Sequence, residues 1–185
     1  MKTACFAVIS LFTIALVSFL PSSSRAASAA ELEQSARTAL RDLYSSNPGA
    51  EIVANKARAV LVFPRIVRAG FMVAAQRGDG ALLVNGRVAG YYNTVSASYG
   101  FQAGVQKFGY AMFFMNDASL NYLRKSRGWE VGTAPSLVVV DEGIAKSLST
   151  TTLRKGIYVF FFDQRGLMGG LGVQGTKITK YEPSE

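Results

Sequence analysis

The hydrophobic pattern of this chain changes near Val60. From Glu31 to Ala59, apolar residues recur at the spacing of a helix. After that point they form short runs rich in Val, Phe, Tyr and Gly, which are typical of β-strands. Helices followed by a series of strands indicate the α+β class. We therefore predict a single α+β domain with a mainly antiparallel, glycine-rich sheet that is strongly curved or barrel-like.

Three helices are predicted, two of them at the start of the domain. The segment "ELEQSARTALRDLYSS" has one apolar face, formed by Leu32, Ala36, Leu40 and Leu43. Ala39 and Tyr44 widen this face. The tripeptide Asn47-Pro48-Gly49 ends this helix, and "AEIVANKARA" predicts a shorter second one. A later helix is predicted from Asp117 to Arg127, with Asp117 or Asn116 as its cap.

The strands contain many glycines, and two hairpin turns are predicted between them, at Arg77–Gly80 and Asp163–Gly166. Gly170 and Gly172 share one face of the second strand of the last hairpin. Glycine inside a strand marks a bend, a bulge or a close approach, so we expect close packing there. The spacing with Gly175 matches G-x-G-x-x-G, but "TKITKYEPSE" follows it without a helical apolar stripe, so no nucleotide site is predicted.

The N-terminal segment has the three parts of a secretory signal peptide. Met1-Lys2 precede an apolar run from Ala4 to Leu20, and "SSSRAASAA" supplies small residues for cleavage near residue 26 or 29. We expect a signal peptide over residues 1–29 and the domain over residues 30–185. Cys5 lies before most of the apolar run, so no lipid attachment is expected. The expected location is therefore the periplasm or cell envelope of a bacterium.

The composition excludes several kinds of catalysis. The chain has no histidine, and its one cysteine lies in the signal peptide, which excludes disulfides, Ser-His-Asp and Cys-His catalysis and the usual zinc sites. Without Lys2 and Arg25, 18 of the 20 basic residues remain against 12 acidic ones. We predict a protein that is not an enzyme and has no cofactor or metal. Nucleic acid is not an expected partner, because export argues against it.

Four blocks of sequence occur in a distinctive order. The first two are "KARAVLVFPRIVRAGFMVA" and "GDGALLV", and the next two are "GFQAGVQKFGYAMFFMN" and "IYVFFFDQRGLMGGLGVQGTKI". Together these blocks resemble the SYLF-domain family over nearly the whole mature chain, from Leu32 to Ile178. Members of this family are lipid-binding modules, some of which also bind actin. The resemblance is to a bacterial, exported member.

The resemblance implies that a basic amphipathic N-terminal helix binds lipid. Here that helix corresponds to Leu32–Tyr44, and Arg37 and Arg41 fall where the family carries basic residues. Independently of the family, the segment from Arg37 to Arg68 has six basic residues against two acids, Asp42 and Glu51. The predicted lipid-binding residues are Arg37, Arg41, Lys56, Arg58, Arg65 and Arg68. A second basic patch precedes Trp129 and consists of Arg124, Lys125 and Arg127.

Two functions follow as hypotheses. The first is a peripheral lipid-binding module that docks on anionic phospholipid membranes through its basic N-terminal helical region. The alternative is a non-catalytic structural or stress protein of the cell envelope, whose glycine-rich sheet binds a protein partner or a small apolar ligand. Salt separates the two, because screening weakens electrostatic docking but not binding in an apolar pocket.

Overall fold

The computed structural model describes residues 28–125, 129–130, 137–140 and 156–183. Over these ranges it has three helices and five strands, which confirms the α+β class. The helices are α1 (Ala29–Ser46), α2 (Pro48–Ala54) and α3 (Asp117–Lys125). The strands are β1 (Ala59–Val84), β2 (Arg87–Phe114), β3 (Trp129–Glu130), β4 (Leu137–Val140) and β5 (Ile157–Tyr181). A search of this part of the chain found no helix with the length and hydropathy needed to cross a membrane.

Helix α1 forms as its periodicity predicts. Its buried residues are the predicted stripe, Leu32, Ala36, Leu40 and Leu43. A capping box begins the helix: the Ser28 hydroxyl accepts a hydrogen bond from the Glu31 backbone N–H, and the Glu31 carboxylate accepts one from the Ser28 N–H. Helix α2 starts at Pro48, one residue after the α1 cap Asn47, and ends at Ala54. It is therefore shorter than the sequence pattern suggested.

Helix α3 has the predicted cap. The Asn116 side-chain oxygen accepts hydrogen bonds from the Ser119 backbone N–H at 2.9 Å and from the Ser119 hydroxyl at 2.6 Å. The helix buries Leu120 and Leu123. The last two residues of the predicted helix, 126 and 127, lie outside the described residues.

The sheet is open, with the strand order β1-β2-β5-β3 and with β4 alongside β5. Neighbours pair antiparallel except β4 and β5, which are parallel, so the prediction of a mainly antiparallel sheet is confirmed. A closed barrel was one expectation from the glycine content, and this expectation is wrong. In the part of the chain that the structure describes, β1 and β3 end the sheet without pairing to each other.

Both predicted hairpin turns are wrong, because the chain passes through each as a strand. Arg77–Gly80 lies inside β1 and pairs with Tyr92–Val95 of β2. Asp163–Gly166 lies inside β5 at a register shift opposite Lys107–Gly109, where Asp163 has a φ of 51° and Gly166 a φ of 92°. This segment is therefore a β-bulge, in which positive φ values are common, and β5 continues past it.

The hairpin that joins β1 to β2 turns at Asn85-Gly86. These two residues have φ values of 50° and 73°, and Val84 pairs directly with Arg87 across the turn. Positive φ at both central positions is what a two-residue type I′ turn requires, and Asn-Gly is a preferred sequence for it. The dipeptide was a signal in the sequence that the interpretation of the strands missed.

The long strands fold back on themselves. Val62 and Gly80 lie 18 residues apart in β1, which in a straight strand would separate them by roughly 60 Å. Yet a Cβ built on Gly80 would lie 2.5 Å from the Val62 carbonyl oxygen. Met72, with a φ of 58°, lies near the midpoint between them, at another register shift. We call this reversal the fold line. In the pairing of β5 with β2, Gly170 lies opposite Gln102 and Gly172 lies opposite Gly100, which places both glycines beside the fold line.

The fold-back creates two hydrophobic clusters. One packs the predicted face of α1 and the α2 residue Val53 against the outside of the sheet, where it meets Phe113 and Phe160. The other lies between the two layers of the folded sheet and includes Phe63, Tyr110 and Ile178. Helix α3 adds Leu120 and Leu123 to this second cluster. The N-terminal helices are thus fixed to one surface of the sheet, where they shape the first candidate site.

Candidate lipid-binding surfaces

The helix α1 and the start of β1 enclose an open groove of about 930 Å³, which we call the arginine groove. Arg37 and Arg41 reach it from α1, and Arg58 reaches it from the residue before β1. The groove wall includes one carboxylate among its described residues, that of Glu33. Apolar lining comes from Leu40, Tyr44, Val60 and Leu83. Three of the six predicted lipid-binding residues are therefore brought together here.

The three arginines of the groove differ in what they contact. Arg37 forms an ion pair with Glu33, with 2.8 Å between Nη2 and Oε1, and the same nitrogen donates to the Gly86 carbonyl at 2.8 Å. It therefore joins α1 to the Asn85-Gly86 turn. Arg41 donates to the Thr38 hydroxyl at 3.2 Å. Within the described ranges, neither Arg41 nor Arg58 has a carboxylate within 4.0 Å, so these two carry the uncompensated charge of the groove.

The other three predicted residues lie elsewhere. Lys56 is exposed just after α2, and Arg65 is exposed in β1 at the register shift that follows Phe63. Arg68 is half-buried and points between the two layers of the folded sheet, where its Nη2 donates to the Ser98 hydroxyl at 3.1 Å. Ser98 lies 30 residues further along the chain, so this contact exists because the strands fold back. The six residues therefore do not form one continuous surface.

The second basic patch is described in part. Arg124 and Lys125 are exposed in the last turn of α3, where their charges suit the negative end of the helix dipole. Arg127 lies outside the described residues. Trp129 pairs with Ile178 through its backbone in β3.

The fold line carries an exposed apolar surface that the sequence reasoning missed. Phe71 is 75% exposed, Tyr99 is 69% exposed, and Met72 and Val73 are about half exposed. We call these four residues the apolar edge. Because β1 reverses at the fold line, its first and last residues lie together at the other end of the folded sheet. The arginine groove is at that end, so the apolar edge lies opposite to it. Large apolar side chains that cluster at a surface mark a contact site for protein or membrane.

A comparison with protein families identifies one match. Residues 95–184 match the Ysc84 family, described as a Las17-binding protein actin regulator. This match supports the assignment of the chain to the SYLF-domain family. The matched residues run from the middle of β2 through β5, and they include the third and fourth blocks on which the resemblance was based. No curated protein matches the chain.

Proposed function

We propose that this SYLF-family protein is a peripheral lipid-binding module, and that it docks on anionic phospholipid surfaces through the arginine groove. The observation that carries the proposal is the convergence of Arg37, Arg41 and Arg58, from two separate segments, on a groove whose described residues include one carboxylate. The family is known for lipid and actin-related binding, which is consistent with this role. We also propose that the protein acts in the cell envelope and does not catalyse a reaction.

The energetics favour Arg41 and Arg58 as the membrane contacts. Each basic residue near an anionic membrane contributes about 1 kcal/mol of attraction, which falls off within a Debye length. Arg37 contributes less, because Glu33 offsets its charge. We assign Arg37 a positioning role, since it holds α1 to the turn between β1 and β2.

A protein partner is the second candidate, and a specific observation supports it. The family description names Las17 and actin regulation, and the apolar edge is a surface of the kind that protein partners cover. For an exported bacterial protein that partner would be an envelope component rather than actin. Sedimentation with vesicles tests both the arginine groove and the apolar edge.

The proposal is tested by sedimentation with vesicles of phosphatidylglycerol and phosphatidylcholine, with pure phosphatidylcholine vesicles as reference. The variant Arg41→Glu with Arg58→Glu replaces two attractions by two repulsions. At about 1 kcal/mol per charge, its partition coefficient on the anionic vesicles should fall by about a hundredfold or more. The parent's binding should also weaken steeply with added salt.

Two further variants act as controls. Arg124→Glu with Lys125→Glu reverses two exposed charges on α3 and should leave most of the binding intact. Phe71→Ser with Met72→Ser removes part of the apolar edge. Unchanged binding of the groove variant, with its circular dichroism and melting temperature intact, would contradict the proposal. Loss of binding in one of the other two variants instead would move the docking surface to α3 or to the apolar edge.

A further inference from the structure

A cavity of about 340 Å³ lies between the two layers of the folded sheet, away from the arginine groove. Its walls come from β1, β2, β4 and β5, so it exists only because the strands fold back. The described residues that line it are Arg68, Gln76, Gln106, Phe108, Tyr110, Met112, Val139, Val159, Phe161, Gln164, Thr176 and Ile178. Its volume falls within the range of small-molecule sites, about 300–1,000 Å³, and exceeds the ~150 Å³ that is enough to bind benzene.

The larger part of the wall is apolar. Tyr110, Met112 and Ile178 are buried, and Phe108 and Val159 continue the same surface. Phe161 is 41% exposed and Val139 is 50% exposed, so the cavity reaches solvent beside these two residues. A mostly apolar cavity that opens to solvent suits a hydrocarbon chain better than a compact polar ligand.

The polar residues of the wall include a buried side chain that has no partner among the residues the structure describes. Gln76 is 6% exposed, and within the described ranges its amide makes no hydrogen bond to another residue. Leaving such a group unsatisfied is costly, so a ligand that offers hydrogen-bond acceptors or donors would be favoured there. Gln106, Gln164 and Thr176 add further polar groups to the wall.

Among the described residues of the wall, a positive charge favours an anionic head group. Of its described residues Arg68 is charged, and none is a carboxylate. A guanidinium in a cavity of low polarity favours an anion, and its planar donor pairs match the two oxygens of a carboxylate. Arg68 is held toward the cavity by its bond to Ser98.

We propose that this cavity binds a single-chain anionic amphiphile of the fatty-acid type, with its carboxylate at Arg68 and Gln76 and its chain along the apolar wall. The site shares no residue with the arginine groove, so it stands or falls independently of the membrane docking proposed above. One chain fits the volume near the lower end of the ligand-site range, whereas a two-chain phospholipid needs more room.

Calorimetric titration of the delipidated protein with palmitate below its micelle concentration tests the proposal, with hexadecanol as the uncharged ligand of the same chain length. One palmitate should bind per chain. Arg68→Gln should weaken palmitate binding by about tenfold to a hundredfold, the size of a hydrogen bond to a charged group, and should change hexadecanol binding little. Arg77→Gln is the matched control, because Arg77 follows Gln76 in β1, is exposed and does not line the cavity.

A second variant protects the test against misfolding. Gln76→Met removes the buried amide at similar volume, so it should weaken palmitate binding severalfold while leaving the free protein at least as stable in thermal unfolding. The proposal fails if palmitate does not bind the parent with saturation, or if Arg77→Gln weakens it as much as Arg68→Gln. It also fails if Arg41→Glu with Arg58→Glu abolishes palmitate binding, because the titration would then report the arginine groove.

Discussion

At the scale of single residues, the fold-back decides what each polar side chain does. The sequence position of Arg68 predicts that it acts with the N-terminal arginines, but it lies between the sheet layers and contacts Ser98. Tyr110 also bridges the layers, since its hydroxyl donates to the Thr94 hydroxyl at 3.1 Å, and both residues are buried. Burial raises the pKa of Tyr110 far above its ordinary value of 10.0, although the hydrogen bond to Thr94 opposes this shift.

The raised pKa of Tyr110 predicts a particular dependence of stability on pH. Its neutral form stabilises the fold below pH 10, and this stabilisation is lost as the pH rises above the pKa of the unfolded chain. At pH 7, Tyr110→Phe should lower the free energy of unfolding by about 1–2 kcal/mol, because Thr94 loses its hydrogen-bond partner. Above pH 10 the parent loses this stabilisation and the variant has none to lose. The difference between their free energies of unfolding should therefore narrow by about 1.4 kcal/mol for each pH unit above 10.

Urea unfolding of the parent and Tyr110→Phe at pH 7 and pH 11 measures this difference. Tyr99→Phe removes an exposed phenol and serves as the matched control for the loss of one tyrosine. A difference between parent and variant that stays the same at both pH values would show that Tyr110 is not held neutral by burial.

At the scale of elements, the turn between β1 and β2 links the sheet to the candidate site. The Gly86 carbonyl accepts a hydrogen bond from Arg37, so the conformation of the turn fixes the position of α1 over the arginine groove. Space is not the constraint on Gly86, since a Cβ there would meet nothing within 4 Å. Its φ of 73° is the constraint.

Gly86→Ala is therefore expected to destabilise the protein through the backbone alone. A residue with a Cβ pays about 1–2 kcal/mol in the left-handed region, and the free energy of unfolding in urea should fall by that amount. Asn85→Gly keeps a turn that accepts positive φ and should stay within a few tenths of a kcal/mol of the parent. Equal stability of Gly86→Ala and the parent would mean that the turn does not need the type I′ geometry.

At the scale of the whole molecule, the fold-back depends on glycines in β1 that let one layer approach the other. A Cβ on Gly78 would lie 2.6 Å from the Ile66 side chain and 2.7 Å from the Arg65 carbonyl oxygen. At Gly80 it would meet the Val62 carbonyl oxygen and the Phe63 ring. Gly78 and Gly80 are therefore closely packed, although the sequence pattern predicts close packing at Gly170 and Gly172 instead. For Gly170 and Gly172 it stays a prediction, although their register places them beside the fold line.

Gly80→Ala should separate the two layers and destabilise the whole fold. Forcing one methyl group against a backbone oxygen is overpacking, which typically costs about 1–3 kcal/mol. Ala75→Val is the matched control, because it adds carbon atoms to the same strand at an exposed position. Thermal and urea unfolding should show a clear loss for Gly80→Ala and little change for Ala75→Val. The reverse order would contradict the close contact between the layers.

Features that depend on neighbouring residues can be predicted from the amino-acid order alone. The helical period of α1 predicted its buried face, because side chains three and four residues apart lie on one side of any helix. The Asn116 cap of α3 and the α+β class followed from equally local patterns. The ordered blocks at Gly100–Asn116 and Ile157–Ile178 resemble the family, and the match to residues 95–184 supports that assignment.

The course of the strands and the contacts between their side chains depend on residues far apart in the sequence. Gly-Asp-Gly at Gly78–Gly80 favours a turn locally, but close approach of Val62 requires the same glycines inside a strand. The reversal at Met72 involves a non-glycine residue with positive φ, which local sequence rules disfavour. The strand at Gly78–Gly80 and the reversal at Met72 are both stabilised by pairing with strands that are distant in the sequence. For the same reason, Arg37, Arg41 and Arg58 share a groove while Arg68 lies in the cavity.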